Sequence, residues 1–258
     1  MGQGAPAILI HGLAASLHDW DDLAPLLAEK GYAAYALDLL GHGDSPKPDS
    51  RAYQMEWLFD HLAAWIDSLG LTQPPILIGH SLGGYLTLEY ARRFSQRTRG
   101  LVLVDPFYRL FQLPAILRFS YRHPAINMMV VERTPEWLFR FIIDMTSLSM
   151  GHNNGSGLHD LPEHIRAQTA LDYKRTAPGV YNLPNTAKDL TPYLPTISQP
   201  ALLVWGRHDT TLSPVSFREL LVSMPNGTGK SLEAGHVPHQ SRATEFNQMV
   251  MEFLKDLP

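Results

Sequence analysis

The chain has 258 residues, of which 45% are hydrophobic and 18% are charged. This composition supports a full-sized hydrophobic core and excludes disordered and fibrous architectures. The 21 lysines and arginines against 25 acidic residues give a net charge of −4, which argues against nucleic acid as a partner. Because the chain contains no cysteine, disulfides, thiolate nucleophiles and cysteine-ligated metal sites are also excluded.

The N-terminal residues show no sign of a targeting segment. A secretory signal would place a basic stretch before an apolar stretch. Residues 1–6 contain no basic residue that could start such a pattern. Elsewhere no run approaches the roughly 20 apolar residues that a membrane-spanning helix needs. We therefore expect a cytoplasmic protein with no membrane span.

Short apolar segments that end in small or turn-forming residues predict six strands, at 7–10, 32–37, 75–78, 101–104, 201–205 and 230–233. Their near-continuous hydrophobicity is typical of strands buried on both faces, which indicates a mostly parallel sheet flanked by helices. Apolar residues at helical spacing predict helices between these strands, at 20–27, 58–69, 82–94, 214–224 and 244–254. This alternation of strands and helices predicts the α/β class.

Residues 107–187 interrupt the alternation. They contain no convincing strand but four helix-like apolar pieces, at 107–119, 125–131, 136–148 and 162–174. Because about 80 helical residues far exceed a normal crossover between parallel strands, we expect an inserted helical cap at 107–187 on a core formed by residues 1–106 and 188–258. The glycine-rich stretch 151–157 suits either a hinge that gates substrate access or an ordinary exposed turn.

The most specific motif is Gly-His-Ser-Leu-Gly at residues 79–83, between a predicted strand and a predicted helix. A nucleophilic serine on a tight strand-to-helix turn needs this pattern, because glycines two residues to either side let the neighbouring chain pass without Cβ clashes. The N-terminus of the following helix also directs an N–H group and a positive dipole end toward developing negative charge. Ser81 is therefore the candidate nucleophile.

A serine hydroxyl needs a base, and the base needs an acid that orients it. Asp209 follows the strand predicted at 201–205, and His236 follows the last predicted strand after a small-residue turn. Both lie in loops at the C-terminal ends of strands, as Ser81 does. We expect His236 to act as the base and Asp209 as the acid.

Other residues remain open for these two roles. Asp105 ends the strand predicted at 101–104 and is the alternative acid. His208 and His239 lie close in sequence to the candidate acid and base, but neither directly follows the small-residue turn that precedes His236.

An acyl-transfer site also needs donors for a tetrahedral oxyanion. The N–H of Leu82, directly after the candidate nucleophile, is expected to be one of them. The loop after the first predicted strand contains Gly12, which allows the backbone to turn inward, and offers the N–H of Leu13 as the second donor. The alternative is that His11 and Gly12 only form a turn.

With these motifs the sequence resembles the α/β-hydrolase superfamily, specifically its cap-bearing esterase and lipase branch. The resemblance runs almost from end to end and rests on His11-Gly12, the turn at 38–45, the Ser81 motif, Asp209, and Gly235-His236 before a C-terminal helix. It implies the α/β-hydrolase fold and a triad in the chain order Ser81, Asp209, His236. In this family the acid follows either of two strands, which keeps Asp105 as the alternative. The expected cap carries no assignable motif.

The sequence departs from the family at its N-terminus. Members usually have an antiparallel pair of strands before the strand that leads into His-Gly, but only six residues precede Ala7 here, so this strand pair is expected to be missing. If the family strand order holds, residues 32–37 become a sheet edge, which invites pairing with another chain. We expect either a homodimer through this edge or an edge shielded by a loop or helix.

The predicted cap is rich in large apolar side chains, namely Phe107, Tyr108, Phe111, Ile116, Phe119, Met128, Met129, Trp137, Phe141, Ile142 and Met145. Most are expected to seal the cap onto the core, and a minority to line an apolar acyl pocket. The cap has no obvious basic cluster for a phosphorylated or CoA-bearing substrate.

A serine rather than an aspartate nucleophile argues against the haloalkane dehalogenase and epoxide hydrolase branches. We expect a serine hydrolase of the carboxylesterase type that takes a small hydrophobic ester, with a small to medium acyl group, and passes through an acyl-enzyme. No cofactor or metal is expected. The alternatives are a lactone or diketone hydrolase on the same triad, and a small-molecule receptor that retains a slow triad.

Overall fold

The computed structural model describes residues 1–48, 53–150 and 161–257, in which six parallel strands form a sheet. The strands are β1 (Ala5–Ile10), β2 (Tyr32–Leu37), β3 (Ile76–His80), β4 (Gly100–Val104), β5 (Ala201–Gly206) and β6 (Gly227–Leu232). Their order across the sheet is β2-β1-β3-β4-β5-β6. With helices flanking this sheet, the predicted α/β architecture is confirmed.

The α-helices of the described residues are α1 (Ala24–Glu29), α2 (Met55–Ser68), α3 (Leu82–Arg93), α4 (Ala115–Tyr121), α5 (Pro124–Arg133), α6 (Glu136–Met150), α7 (Glu163–Arg175), α8 (Leu183–Thr186), α9 (Val215–Ser223), α10 (Pro238–Ser241) and α11 (Ala243–Lys255). The helix predicted at 20–27 is divided. A 3₁₀ helix covers Leu17–Trp20, and α1 begins only at Ala24, with Pro25 in its first turn. Proline is tolerated there because its missing N–H would have no partner within the helix.

Consecutive residues of the central strands face opposite layers of the core. Ile8 and Leu103 pack on one side of the sheet, and their neighbours Leu9 and Val102 pack on the other. All four side chains are fully buried. Since side chains alternate across a strand, a strand covered on both faces needs apolar residues at every position. This is the origin of the near-continuous hydrophobicity of these segments.

The last strand differs from the prediction. β6 covers Gly227–Leu232 rather than 230–233, and it forms one edge of the sheet. Its residues alternate between partial burial and exposure along most of its length, as expected of a strand with one solvent-facing side. A uniformly apolar run therefore does not mark the beginning of this strand.

β2 forms the other edge of the sheet, as predicted. The N-terminal amino group of Met1 donates to the carbonyl oxygen of Ala34 at 2.7 Å, and the N–H of Ala34 donates to Met1 O at 2.8 Å. β1 is the first strand of the described residues, and no antiparallel pair precedes it there. The homodimer through β2 stays a prediction.

Between β4 and β5 the described residues form helices and loops. The stretch 107–119 is not the single helix that we predicted, because Leu110–Gln112 forms a 3₁₀ turn and α4 begins only after Pro114. A proline lacks the N–H that a helix interior needs, so the α-helix begins after it. Residues 107–187 are called the helical segment below, and these bounds and its role as a cap remain a proposal.

The large apolar side chains of the helical segment are less buried than predicted. Phe107 and Tyr108 are buried, but most of the others are exposed, namely Phe111, Ile116, Phe119, Met129, Trp137, Phe141 and Ile142. The expectation that most of them seal the segment onto the core is wrong. Helices α4 and α5 pack on each other and α6 packs on α7, which leaves their outer faces uncovered by the described residues.

The stretch 151–157 lies outside the described residues, and so does the side chain of Met145, so their predicted roles stay predictions. Among the helices that the structure describes, none is both long and apolar enough to cross a membrane.

Candidate active site

Ser81 lies on the sharp turn between β3 and α3, as its motif predicts. Its backbone has a positive φ of 50°, a conformation that costs free energy for a residue other than glycine. Backbone hydrogen bonds hold the turn: Ser81 N–H donates to Val104 O at 2.9 Å, and Ser81 O accepts from Phe107 N–H at 3.0 Å. A Cβ at Gly83 would overlap the carbonyl oxygen of Ile10, so only glycine lets α3 come so close to β1.

The structure brings the three predicted side chains into one hydrogen-bonded chain. Ser81 Oγ lies 3.0 Å from His236 Nε2, and His236 Nδ1 lies 2.8 Å from Asp209 Oδ2. The residues follow β3, β6 and β5, whose C-terminal ends lie at one end of the parallel sheet. When Nδ1–H donates to the carboxylate, Nε2 turns its lone pair toward the serine hydroxyl, which is the tautomer that a general base requires.

Asp209 is held by further hydrogen bonds. Its side chain is fully buried, and its Oδ1 accepts the N–H groups of Thr211 at 2.7 Å and of Leu212 at 2.9 Å. Oδ2 is left to face His236. A carboxylate fixed in this way can hold the imidazole in a single orientation.

Asp105, the alternative acid, lies beside this chain. Its Oδ1 accepts the N–H of Gly206 at 3.0 Å, and its carboxyl lies within 4.8 Å of the facing atoms of Asp209 and His236. Burial, followed by the negative charge of Asp209, raises the pKa of Asp105 well above its ordinary range. Since Nδ1 of His236 hydrogen-bonds to Asp209 Oδ2, the geometry favours Asp209 for the role of the acid.

The two alternative bases lie elsewhere. His208 Nε2 pairs with Glu233 Oε2 at 2.9 Å. His239 is buried, and its ring lies tilted against that of His80 with the centroids 4.4 Å apart. In the described part of the chain, His236 is the histidine that hydrogen-bonds to the candidate nucleophile.

Leu13 and Leu82 line the same cavity as the candidate nucleophile. Leu82 is the first residue of α3, and the N–H groups of a first helical turn have no acceptor within the helix. The loop before Leu13 is held by His11, whose Nε2 accepts the N–H of Leu39 at 2.9 Å and whose Nδ1 donates to Gly12 O at 2.8 Å. Burial lowers the pKa of His11, in agreement with the neutral ring that this bonding pattern needs.

A cavity of about 380 Å³ adjoins Ser81 and His236. Part of its lining is apolar and includes Phe107, Leu113, Tyr121 and Leu212, and another part is polar and includes His18, His164, Gln168 and Asp172. The described lining includes four aspartates, namely Asp19, Asp21, Asp22 and Asp172. It includes no glutamate, lysine or arginine among the described residues. Such a cavity is better suited to an uncharged or cationic molecule with an apolar part than to an anion.

One of these aspartates titrates close to neutral pH. Burial raises the pKa of Asp172 to about 6, although its hydrogen bonds oppose this shift. Its Oδ2 accepts from Ser16 Oγ at 2.7 Å, and its Oδ1 accepts from Gln168 Nε2 at 2.9 Å. The charge of the polar wall therefore changes between mildly acidic and neutral solution.

Two clusters in the described residues are close enough to hold a metal ion, because their possible ligand atoms lie within 4.8 Å of one another. The first contains Asp19, His80 and His239, and the second contains Asp105, Asp209 and His236. In the second group, Asp209 and His236 are already bonded to each other. In the first, Asp19 and His80 hydrogen-bond to neighbouring protein groups. We assign neither group as a metal site.

Sequence reasoning missed Asp19 and His80. His80 lies within the serine motif, and its Nδ1 lies 3.3 Å from Asp19 Oδ2. Motif spacing cannot reveal a contact between residues 61 positions apart. The available signal was an acidic residue in the loop after β1, at the end of the sheet where the other site residues gather.

Known proteins resemble this chain over nearly its whole length. The model of the Alpha/beta hydrolase family matches residues 7–249. A pimeloyl-acyl-carrier-protein methyl ester esterase from Neisseria meningitidis is 30% identical over 258 residues, which cover 96% of this chain and 92% of the relative. The structure of a thermophilic esterase from Thermogutta terrifontis has a TM-score of 0.81 at 25% identity, covering 99% of this chain and 91% of that chain.

An enol-lactonase from Burkholderia xenovorans has a TM-score of 0.79 at 21% identity, covering 99% of this chain and 93% of that chain. This second structural likeness shows the shared fold alone. The family match spans far more than half of the residues, and the Neisseria relative matches over nearly its full length. The chain belongs to the alpha/beta hydrolase family.

Proposed function

We propose that the protein is a serine hydrolase of the carboxylesterase type that cleaves esters of small to medium hydrophobic acids through an acyl-enzyme. The observation that carries this proposal is the hydrogen-bonded chain from Ser81 through His236 to Asp209 beside a cavity. The similarity to two esterases supports the same class of reaction.

In the first half of the proposed reaction, Ser81 Oγ attacks the ester carbonyl carbon while His236 Nε2 takes the hydroxyl proton. Asp209 accepts the Nδ1–H bond and stabilises the imidazolium. The carbonyl oxygen becomes negative and is bound by the N–H groups of Leu13 and Leu82. When the tetrahedral adduct collapses, the alcohol leaves with the proton from His236, and the acyl group stays on Ser81.

In the second half, water attacks the acyl carbon and His236 takes its proton. The same two N–H groups bind the second oxyanion. Collapse of this adduct releases the carboxylic acid and returns the proton to Ser81 Oγ. These steps use only groups of this chain, the ester and water.

The cavity indicates the size and polarity of the ester. About 380 Å³ lies near the lower end of the range of roughly 300–1,000 Å³ for small-molecule sites, which favours small to medium substrates. Phe107 and Tyr121 of the helical segment contribute to the lining. We therefore propose that residues 107–187 act as a cap over a core of residues 1–106 and 188–258.

A series of p-nitrophenyl esters from acetate to laurate tests the proposal. We expect multiple turnover with a maximum among the short to medium chains. Ser81→Ala should lower kcat by about 10⁴-fold or more, because the three side chains act as a unit. Ser68→Ala is the matched control: this exposed hydroxyl bonds to Trp65 O on α2, and its loss should leave kcat unchanged.

The other outcomes distinguish the alternatives. Activity near wild type in Ser81→Ala would contradict the assignment of the nucleophile. A single stoichiometric burst without turnover would favour a small-molecule receptor with a slow triad. Turnover confined to lactones or diketones would favour those reactions on the same residues.

A further inference from the structure

A buried carboxylate lies beside the proposed nucleophile and base. Asp19 belongs to the 3₁₀ helix before α1, and its side chain is only 9% exposed. Its Oδ2 accepts the N–H of Gly12 and faces Nδ1 of His80, both at 3.3 Å, and its Oδ1 accepts from Gln240 Nε2 at 3.3 Å. One carboxylate therefore contacts the oxyanion loop (Gly12 and Leu13), the serine turn (His80 and Ser81) and Gln240, which follows the proposed base.

The ring of His80 links Asp19 to the proposed base. Its Nε2 lies 2.9 Å from the backbone oxygen of His236, and because a carbonyl oxygen only accepts hydrogen bonds, Nε2 must carry a hydrogen. Burial opposes the ionisation of Asp19, but the hydrogen bond and the charge of His80 outweigh it and lower the pKa of Asp19 to about 2. Asp19 Oδ2 and the backbone oxygen of His236 are both acceptors, so the geometry favours a His80 ring that carries a hydrogen on each nitrogen.

The surroundings of this pair are tight. A Cβ at Gly12 would lie 2.8 Å from Nδ1 of His80, so a larger residue would push the ring aside. The ring of His239 lies tilted against that of His80, and burial lowers the pKa of His239 well below its ordinary value. The ring of His80 also lies 5.0 Å from that of His236, close enough for an unbalanced charge to affect the base.

We propose that Asp19 and His80 are positioning residues whose ion pair fixes the oxyanion loop and the serine turn relative to His236 and balances the charge beside it. This inference rests on the proposed function. Although both residues line the cavity, neither takes part in the proposed steps: Asp19 acts through the N–H of Gly12, and His80 acts through the backbone oxygen of His236.

The first test removes the negative charge while keeping the shape. Asp19→Asn should lower kcat for a p-nitrophenyl ester by about 10- to 100-fold, because a small displacement of an oxyanion donor or base costs this much. KM should change by less than about threefold, because the apolar lining is untouched. Asp60→Asn, which removes an exposed carboxylate from α2, is the matched control and should behave as wild type.

The second test uses the pH dependence of kcat/KM, which a merely structural role would not move. The titratable groups around His236 and the pair are Asp209 and Asp105 from the ends of β5 and β4, His80 from β3, His239 from α10, Asp19, and His11 after β1. His80→Gln keeps a donor for the backbone oxygen but leaves Asp19 without its counter-charge. This negative charge favours protonated His236, so the acid limb should move up by about one pH unit.

The double variant Asp19→Asn/His80→Gln removes both charges and should return the acid limb close to its wild-type position. An unmoved limb in His80→Gln, or a wild-type kcat in Asp19→Asn, would overturn the positioning pair and leave the esterase proposal intact. Should Asp19→Asn fail to fold, the limb of His80→Gln decides alone. A metal ion between Asp19 and His80 would also overturn the proposed positioning pair. Its sign would be that EDTA abolishes the activity and that added zinc restores it. No turnover by the wild type would contradict the proposed function itself.

Discussion

The sheet core and the helical segment use apolar residues in different ways. Every residue of β3 and β4 is buried, whereas Ile116 and Trp137 of the helical segment are 73% and 70% exposed. The central strands are covered by helices on both faces, but α4 and α6 each have a face that no described residue covers. An apolar pattern therefore identifies core residues only where the element is covered on all sides.

The two regions also contribute differently to the candidate site. Ser81, Asp209 and His236 all come from loops at the ends of core strands. The helical segment supplies lining side chains such as Tyr121 and Asp172. We therefore expect changes in the core to alter the reaction rate and the stability, and changes in the helical segment to alter which ester is accepted.

The largest expected effect concerns the two neighbouring carboxyls of the core. Asp209→Asn keeps the shape of the side chain but removes its charge, so kcat should fall by about 10³- to 10⁴-fold. Asp105 accepts a hydrogen bond from the N–H of Gly206. Because an asparagine oxygen can accept the same bond, Asp105→Asn should lower kcat by less than about tenfold. Steady-state kinetics on one p-nitrophenyl ester measures both. The reverse order would transfer the role of the acid to Asp105.

The second prediction compares the stability of the two regions. Leu103→Ala empties a fully buried position in β4 and should lower the free energy of unfolding by about 2–5 kcal/mol. Ile116→Ala shortens an exposed side chain of α4 and should change it by less than about 0.5 kcal/mol. Urea titrations followed by circular dichroism measure both values. Equal losses would mean that the outer face of α4 is covered in solution.

The third prediction separates binding from chemistry. Tyr121→Ala removes a lining ring of the helical segment whose apolar contact is worth roughly 1–2 kcal/mol, so KM for the preferred ester should rise about tenfold. We expect kcat to change by less than about threefold, because the reacting groups are untouched. A collapse of kcat at unchanged KM would place Tyr121 in the chemistry instead.

The smallest expected effect is a dependence of selectivity on pH. Because the pKa of Asp172 is raised to about 6, its charge forms in the folded protein as the pH rises from 5 to 7. Over this interval kcat/KM for an ester ending in a sulfonate should fall by about threefold relative to a neutral sulfone of the same length. Taking this ratio cancels the titration of His236. Asp172→Asn should reduce the change, and an undiminished change would assign it to the lining histidines.

Much of the core site could be predicted because it depends on local sequence. The glycines around Ser81 mark a turn whose geometry only that pattern allows. Asp209 and His236 follow strands, and the ends of parallel strands converge in any sheet of this class. Their convergence at one end of the sheet could therefore be predicted before the distances between them were known.

The remaining features depend on contacts between distant parts of the chain. The approach of Asp19 to His80 depends on how the loop after β1 folds over the serine turn. In the stretch 107–119, apolar spacing favoured a single helix. Instead, Phe107 N–H donates to Ser81 O, and the α-helix begins only after Pro114. The exposure of Trp137 could not be predicted, because helical periodicity does not specify what covers each face.

Covalent labelling tests the central proposal, that Ser81 is the nucleophile of an esterase, most directly. The wild-type protein and Ser81→Ala are each incubated with a p-nitrophenyl phosphonate, then compared by intact mass and by peptide mapping. We predict one adduct per wild-type chain, located on Ser81 and formed as ester hydrolysis is lost, and no adduct on Ser81→Ala. An adduct on another residue, or full ester hydrolysis by a protein labelled at Ser81, would contradict the proposal.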